Sequence, residues 1–407
     1  MLFEIILAII FGILAGTLTG LIPGIHINLI AVILLSYSAY LLELTLPLTL
    51  AIFITAMAIT HTFLDFIPSI FLGAPDEDSF LSILPGHKFL LKGKAHHAII
   101  LTLYGSLSAL LIIILLIPIF ILFLPFIYQP ISNIMPFILI LIAVFLILKE
   151  PQSKIWAFII FLLAGFLGTA SSDIGIKQPL LPLLTGLFGA SSLVISINRK
   201  IKIPEQITTS LKNIKLTKKS FAKSISASLI ASPFTAFIPA VGASQAAVIG
   251  NQVIPLNQEE FLFLLGAINT IVMALSFVTF YVIGKTRTGA VVAVSQLLPE
   301  ITNINLLLIV TTITISGIIS FYIAIFISKF SAKKINKIKY SKLSIIILAI
   351  LTIVVFLFSD FFNPLGGILG LLVFITSISL GITCIELKIR RIHLMGALII
   401  PTILFYL

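Results

Sequence analysis

The chain has 407 residues, 59% of them hydrophobic and only 10% charged, with a mean hydropathy of +1.25. Soluble domains carry roughly 25% charged residues, so the composition excludes a soluble globular protein and points to a multi-pass protein of the cell membrane. The net charge of +11 excludes less than it suggests, because the bases collect in short loops beside apolar runs. Eight Lys or Arg lie within 199–223, six within 329–342, and Lys388, Arg390 and Arg391 follow. Basic loops of this kind mark the cytoplasmic side and face anionic headgroups; no nucleic-acid partner is expected.

Taken in chain order, the opening Met1-Leu2-Phe3-Glu4 lacks a basic n-region, and the first helix is read as retained. A non-crossing hairpin is expected over 2–40, broken at Pro23-Gly24. A span over 47–72 and a second hairpin over 74–92 follow, then spans over 95–125, 134–149, 155–172 and 180–197. After the basic linker, 198–223, the second half parses in the same order. It has a hairpin over 224–254, broken at Pro239, a span over 261–284, a short hairpin over 285–300, and spans over 305–328, 343–359, 363–387 and 392–407. The domains are therefore a first repeat, 1–197, and a second, 224–407.

Five spans per half is an odd number, so the halves run in opposite senses through the bilayer, an inverted-repeat architecture. With both later basic loops inside, the N-terminus falls outside, as do the uncharged loop 126–133 and the loop 359–363. Lys177, Lys285 and Arg287 are the bases this bookkeeping leaves on the wrong side. The expected fold is an all-α polytopic protein of about ten spans with broken, re-entrant hairpins.

Unwound backbone at membrane depth persists only where it lines a cavity or is buried in protein, and matching breaks in two halves point to a transporter's substrate site. The breaks are Leu21-Ile22-Pro23-Gly24-Ile25-His26-Ile27-Asn28 and Phe237-Ile238-Pro239-Ala240-Val241-Gly242-Ala243-Ser244-Gln245. Each is followed by polar residues in apolar surroundings: His26 and Asn28, then Ser244 and Gln245. Helix ends exposed by a break present unpaired N–H groups and a partial positive charge, which together hold an anion.

Further on, His61-Thr62 and Asn269-Thr270 sit inside apolar spans that run to Gly73 and Gly284. Beyond these glycines the first half carries Asp76, Glu77 and Asp78, and the second Lys285 and Arg287. In the cavity, the bases would bind a carboxylate or phosphate and Asp76 and Asp78 would carry a coupling proton or sodium; otherwise all are solvated loop charges. Asp65 is a second candidate for proton carriage, or a cap on a neighbouring helix. His61 and Asn269 complete the candidate coupling set.

His87, His96 and His97 are read as a wet interfacial loop; their spacing suits no metal site. Cys384 has no partner. No P-loop, nucleophile–base signature or dinucleotide fingerprint is present, so neither an enzyme nor a bound cofactor is expected beyond a coupling H+ or Na+.

The run Gly20-Leu21-Ile22-Pro23-Gly24, the turn Ile70-Phe71-Leu72-Gly73-Ala74-Pro75 leading to Leu84-Pro85-Gly86-His87, and Ile238-Pro239-Ala240-Val241-Gly242 together resemble the large permease subunit of tripartite tricarboxylate transporters. The resemblance covers most of the chain. It implies a cation-coupled carboxylate transporter working with a small membrane subunit and an extracytoplasmic binding protein. By motif position it implies that Pro23, Gly24, Gly73, Pro75, Pro239 and Gly242 shape the substrate site. The chain departs from the family in being shorter, in having His26 and Asn28 after the first break, and in having Ala240 for a second glycine. The layout is also similar to membrane proteins proposed to return polyprenyl-phosphate carriers across the bilayer, where a lipid phosphate is the substrate. A non-transporting membrane scaffold or enzyme is the third alternative, and a homodimer is left open.

Overall fold

The structure, a computed structural model, describes the chain except residues 1, 23–33, 35–39, 41, 44, 73–82, 200–203, 215, 236–237, 336–339 and 362. Among the described residues it is all helical, without strands. The first half comprises α1 (Leu2–Leu21), α2 (Pro47–Leu64), α3 (Phe66–Leu72), α4 (Ile83–Leu91), α5 (Ala95–Asn133), α6 (Met135–Leu148), α7 (Lys154–Asp173) and α8 (Leu180–Asn198), the last with a π-helical turn over Thr185–Ala190. The second half comprises α9 (Lys218–Thr235), α10 (Ala243–Val253), α11 (Gln258–Ile283), α12 (Gly289–Leu297), α13 (Asn303–Lys334), α14 (Tyr340–Phe358), α15 (Pro364–Glu386) and α16 (Arg391–Tyr406), which opens with a 3-10 turn.

Local chemistry places the ends. Asn257 and Glu260 form a reciprocal capping box that starts α11. Gly284, in the left-handed region at φ +65°, ends that helix. Ser153, Thr302 and Asn363 cap α7, α13 and α15.

Nine helices among the described residues are long and apolar enough to cross a membrane. Eight of them fall on expected spans; the expected spans at 134–149 and 392–407 are shorter helices, α6 and α16. α6, with 14 residues, reaches only about 21 Å, against about 30 Å of hydrocarbon. The ninth, α1, is an uninterrupted 20-residue helix, about 30 Å long, within the stretch expected to form the first hairpin, whose break at Pro23-Gly24 lies outside the described residues. A correction concerns 126–133. It is no loop but the end of α5, which runs 39 residues through Pro118, Pro125 and Pro130. Each proline deletes one backbone hydrogen bond, and a helix keeps its other bonds where hydrocarbon offers no competing partner.

Helices meet through small residues, as apolar surroundings require. Gly12, Gly16 and Gly20 form a stripe on α1 that lies against the Phe53, Met57 and His61 carbonyls of α2. Gly105 of α5 and Gly266 of α11 bring those two backbones together, and Ser106 Oγ donates to the Gly266 carbonyl at 3.1 Å. Helices α2 and α11 are the most enclosed, each 94% buried over its most apolar stretch.

The extensive contacts sort into two groups. Helices α1–α5 and α9–α13 pack among themselves, and α6–α8 and α14–α16 pack among themselves. Each body takes one part from each half, and packing is exchanged between halves: α5 lies on α11 as α13 lies on α2, and α7 lies on α16 as α15 lies on α8. Pro47 and Gln258, Lys154 and Pro364, and Leu180 and Arg391 start corresponding elements 210 or 211 residues apart.

Candidate functional site

The second break lies in the first body. α9 ends at Thr235 and α10 begins at Ala243, and the two helices pack as a hairpin. Between them Pro239 and Ala240 form a turn in which Ala240 takes φ +58°, a left-handed conformation that a side chain disfavours. Gly242 is the N-cap of α10. Its N–H donates to Gln245 Oε1 at 2.8 Å, so the Gln245 side chain folds back over the helix start. Gln245 is fully buried, and its Nε2 donor has no hydrogen-bond partner. A buried unpaired amide is costly, and here it sits at the positive dipole end of an 11-residue helix. Ser244, also expected here, is fully buried in the first turn of α10.

Arg287 is half-buried and spans the same break. Its two terminal amino groups donate to the carbonyls of Thr235 and Val241, one on each side of the unwound segment. The guanidinium thus neutralises the negative end of α9 and ties the hairpin to the turn before α12. Lys285 is exposed. α12 packs on α2, and α10 packs on α11, so the break adjoins the two central helices.

Those helices carry the second polar cluster. Asn269 Nδ2 of α11 donates to Asp65 Oδ2 at 3.0 Å, and both residues are buried. Asp65 sits between α2 and α3, its own N–H bonded to the His61 carbonyl. His61 Nδ1 lies 3.2 Å from Thr19 Oγ1 of α1. The structure thus joins Asp65 to Asn269 across the halves, and directs the His61 ring to α1. Ser320 of α13 donates to Thr60 at 2.9 Å, a third buried link; hydroxyls scattered through apolar helices carry no spacing signal, and sequence reasoning missed it. Pro23, Gly24, His26, Asn28, Gly73, Pro75, Asp76 and Asp78 lie outside the described residues.

The histidine loop is a correction. His96 is 2% exposed, in the first turn of α5, with Nδ1 2.6 Å from Ser328 Oγ. His97 stacks on Phe89 and meets Glu259 at 3.0 Å. His87 lies in α4, where burial lowers its pKa from the usual imidazole value. α4 folds back on α5 through the tight turn at Gly93, which buries residues that a hydropathy reading leaves wet. Among the described residues no group of three or more His, Cys, Asp or Glu could hold a metal.

Many apolar membrane-length helices, a hairpin broken at a donor-rich helix start and a buried carboxylate between central helices define the chain as a multi-pass membrane protein of the permease class. It belongs to the tripartite tricarboxylate transporter TctA family, whose profile matches residues 6–396. An uncharacterised protein of Methanocaldococcus jannaschii is 30% identical over 411 residues, 99% of each chain. No solved structure matches. Membership of the family implies a tricarboxylate-type transporter in a membrane, one component of a tripartite assembly.

Proposed function

We propose that this chain is a secondary active transporter of a carboxylate, working by alternating access at a midplane site between the two broken hairpins. The observation that carries the reading is the Gln245 amide: fully buried, held over the N-terminus of α10 by one oxygen, with its nitrogen unpartnered. A carboxylate placed there would take that donor at the positive end of the helix dipole. Asp65, bonded to Asn269 between the halves, carries the coupling H+ or Na+, with His61 one turn away. The two halves are inverted repeats with the N-terminus outside. A small membrane subunit and an extracytoplasmic binding protein complete the assembly, as in the family.

The test is Gln245→Glu, which keeps the oxygen that caps Gly242 and turns the free donor into an anionic acceptor. Citrate and smaller carboxylates should raise the melting temperature of the purified wild type by mass action. The variant should stay folded, melting somewhat lower because it buries a carboxyl group, and show no shift with ligand. A shift that requires a polyprenyl phosphate, with none from soluble carboxylates, would overturn the carboxylate assignment.

A further inference from the structure

Two ion clamps lie outside the site, in the body made of α6–α8 and α14–α16. Glu150 stands four residues before α7, and Arg390 four residues after α15. Glu150 Oε2 accepts from Arg390 Nε at 2.9 Å and lies 2.8 Å from His393 Nε2; Arg390 also donates to the Lys149 carbonyl at 2.6 Å. The second clamp repeats this placement with the halves exchanged. Asp360 stands four residues before α15, and Lys177 four residues after α7. Lys177 Nζ lies 3.3 Å from Asp360 Oδ1, and the Gln178 N–H donates to the Ser359 carbonyl at 2.9 Å.

Because each clamp joins the start of one helix to the end of the other, α7 and α15 run antiparallel. The clamps sit at opposite ends of helices about 30 Å long. Lys177, a base that loop charges alone leave on the wrong side, is there to meet Asp360. Within this body Leu181, Leu193, Leu351 and Phe374 of α8, α14 and α15 form an apolar cluster of their own, while α6, α7 and α16 join the main apolar core. The extensive helix-to-helix contacts fall within each body rather than between them. At their boundary lies a cavity of 230 Å³, lined by residues of the first body such as Leu21, Pro68 and Phe71, with Leu343 of the other.

We propose that α6–α8 and α14–α16 form a rigid stator, closed at both ends by the reciprocal clamps Glu150–Arg390 and Asp360–Lys177, against which the body carrying the broken hairpin moves. The motion rests on the transporter reading; the closed stator does not. A body closed at one end only could splay at the other, whereas clamps at both ends hold α7 and α15 in register while the neighbouring body shifts along their boundary.

The stator is tested without any substrate. Glu150→Arg and Arg390→Glu should each lower the melting temperature and raise hydrogen exchange over both 149–153 and 388–393, and the double reversal should recover both. A double reversal no better than the singles would overturn the clamp. The motion is tested in a Cys384→Ala background with a short thiol cross-linker and citrate uptake into proteoliposomes. A tie between Lys177→Cys and Asp360→Cys should leave uptake intact, and a tie between Leu72→Cys and Leu343→Cys should stop it until reduced. Uptake that survives the second tie, or is lost with the first, would overturn the moving boundary. Absence of citrate uptake in the untied protein would refute the carboxylate reading and leave the charge-reversal result standing for the stator.

Discussion

Asn269 donates a 3.0 Å hydrogen bond to the Asp65 carboxylate, so one buried polar contact joins the central helices of the two halves, 204 residues apart in the chain. A carboxylate in hydrocarbon is expensive and is retained where it works. Asn269→Ala removes this donor and should cost about 1–3 kcal/mol of stability. Asp65→Asn should keep the melting temperature near that of wild type while abolishing the dependence of uptake on pH or sodium. A melting series with ion-gradient uptake separates the two; loss of folding in Asp65→Asn would argue for a structural carboxylate instead.

Ala240 holds a left-handed conformation, φ +58°, in the second break. Glycine adopts that region without the Cβ penalty but loses more entropy on folding, so Ala240→Gly should stabilise the protein by about 0.5–1 kcal/mol. Thermal melting in detergent measures this, and a lower melting point would show that the methyl group contributes packing that outweighs the strain.

The glycine stripe of α1 leaves no room for side chains. A Cβ on Gly12 would come 2.6 Å from the Phe53 carbonyl oxygen, and one on Gly16 closer still to that of Met57. Backbone cannot retreat as a side chain can, so Gly16→Val should lift α1 off α2 at a cost of about 1–3 kcal/mol. His61, which meets Thr19 on α1, should become accessible to hydrogen exchange in the same variant.

Burial pushes the Glu150 carboxyl up, but hydrogen bonds from Arg390 and His393, the Arg390 charge and the Gln152 N–H outweigh it and hold its pKa below the usual range. The folded value lies below the unfolded one, so the stabilisation is present above the unfolded pKa of about 4.3 and is lost as pH falls through the folded value. Melting temperatures taken downward from about pH 6 should fall more steeply in wild type than in Glu150→Gln. Parallel curves would exclude Glu150 from the acid limb.

Much of the fold was legible because hydrocarbon imposes one rule everywhere: satisfy the backbone within the helix. Spans such as Gln258–Ile283 and Asn303–Lys334 follow from apolar length, and Gly284 and Asn257 end and start helices by local chemistry alone. The second break was legible from Pro239 and Gly242 for the same reason. The extension of α5 through three prolines was not, since proline ends helices in water but only bends them where no solvent competes. Nor was the burial of His96, which depends on Ser328, 232 residues away.

By itself the sequence determined the solvent, the helical class, the placement of the spans and the break before Gln245, because these rest on hydropathy and on backbone preferences of neighbouring residues. The tertiary structure alone decided that Asp65 meets Asn269, that Arg287 binds the carbonyls on both sides of the break, and that Glu150 and Asp360 find bases in the opposite half. Those pairings depend on which helices pack together, and apolar helices carry little in their sequence that names a partner, since any apolar face is as content against lipid as against its neighbour.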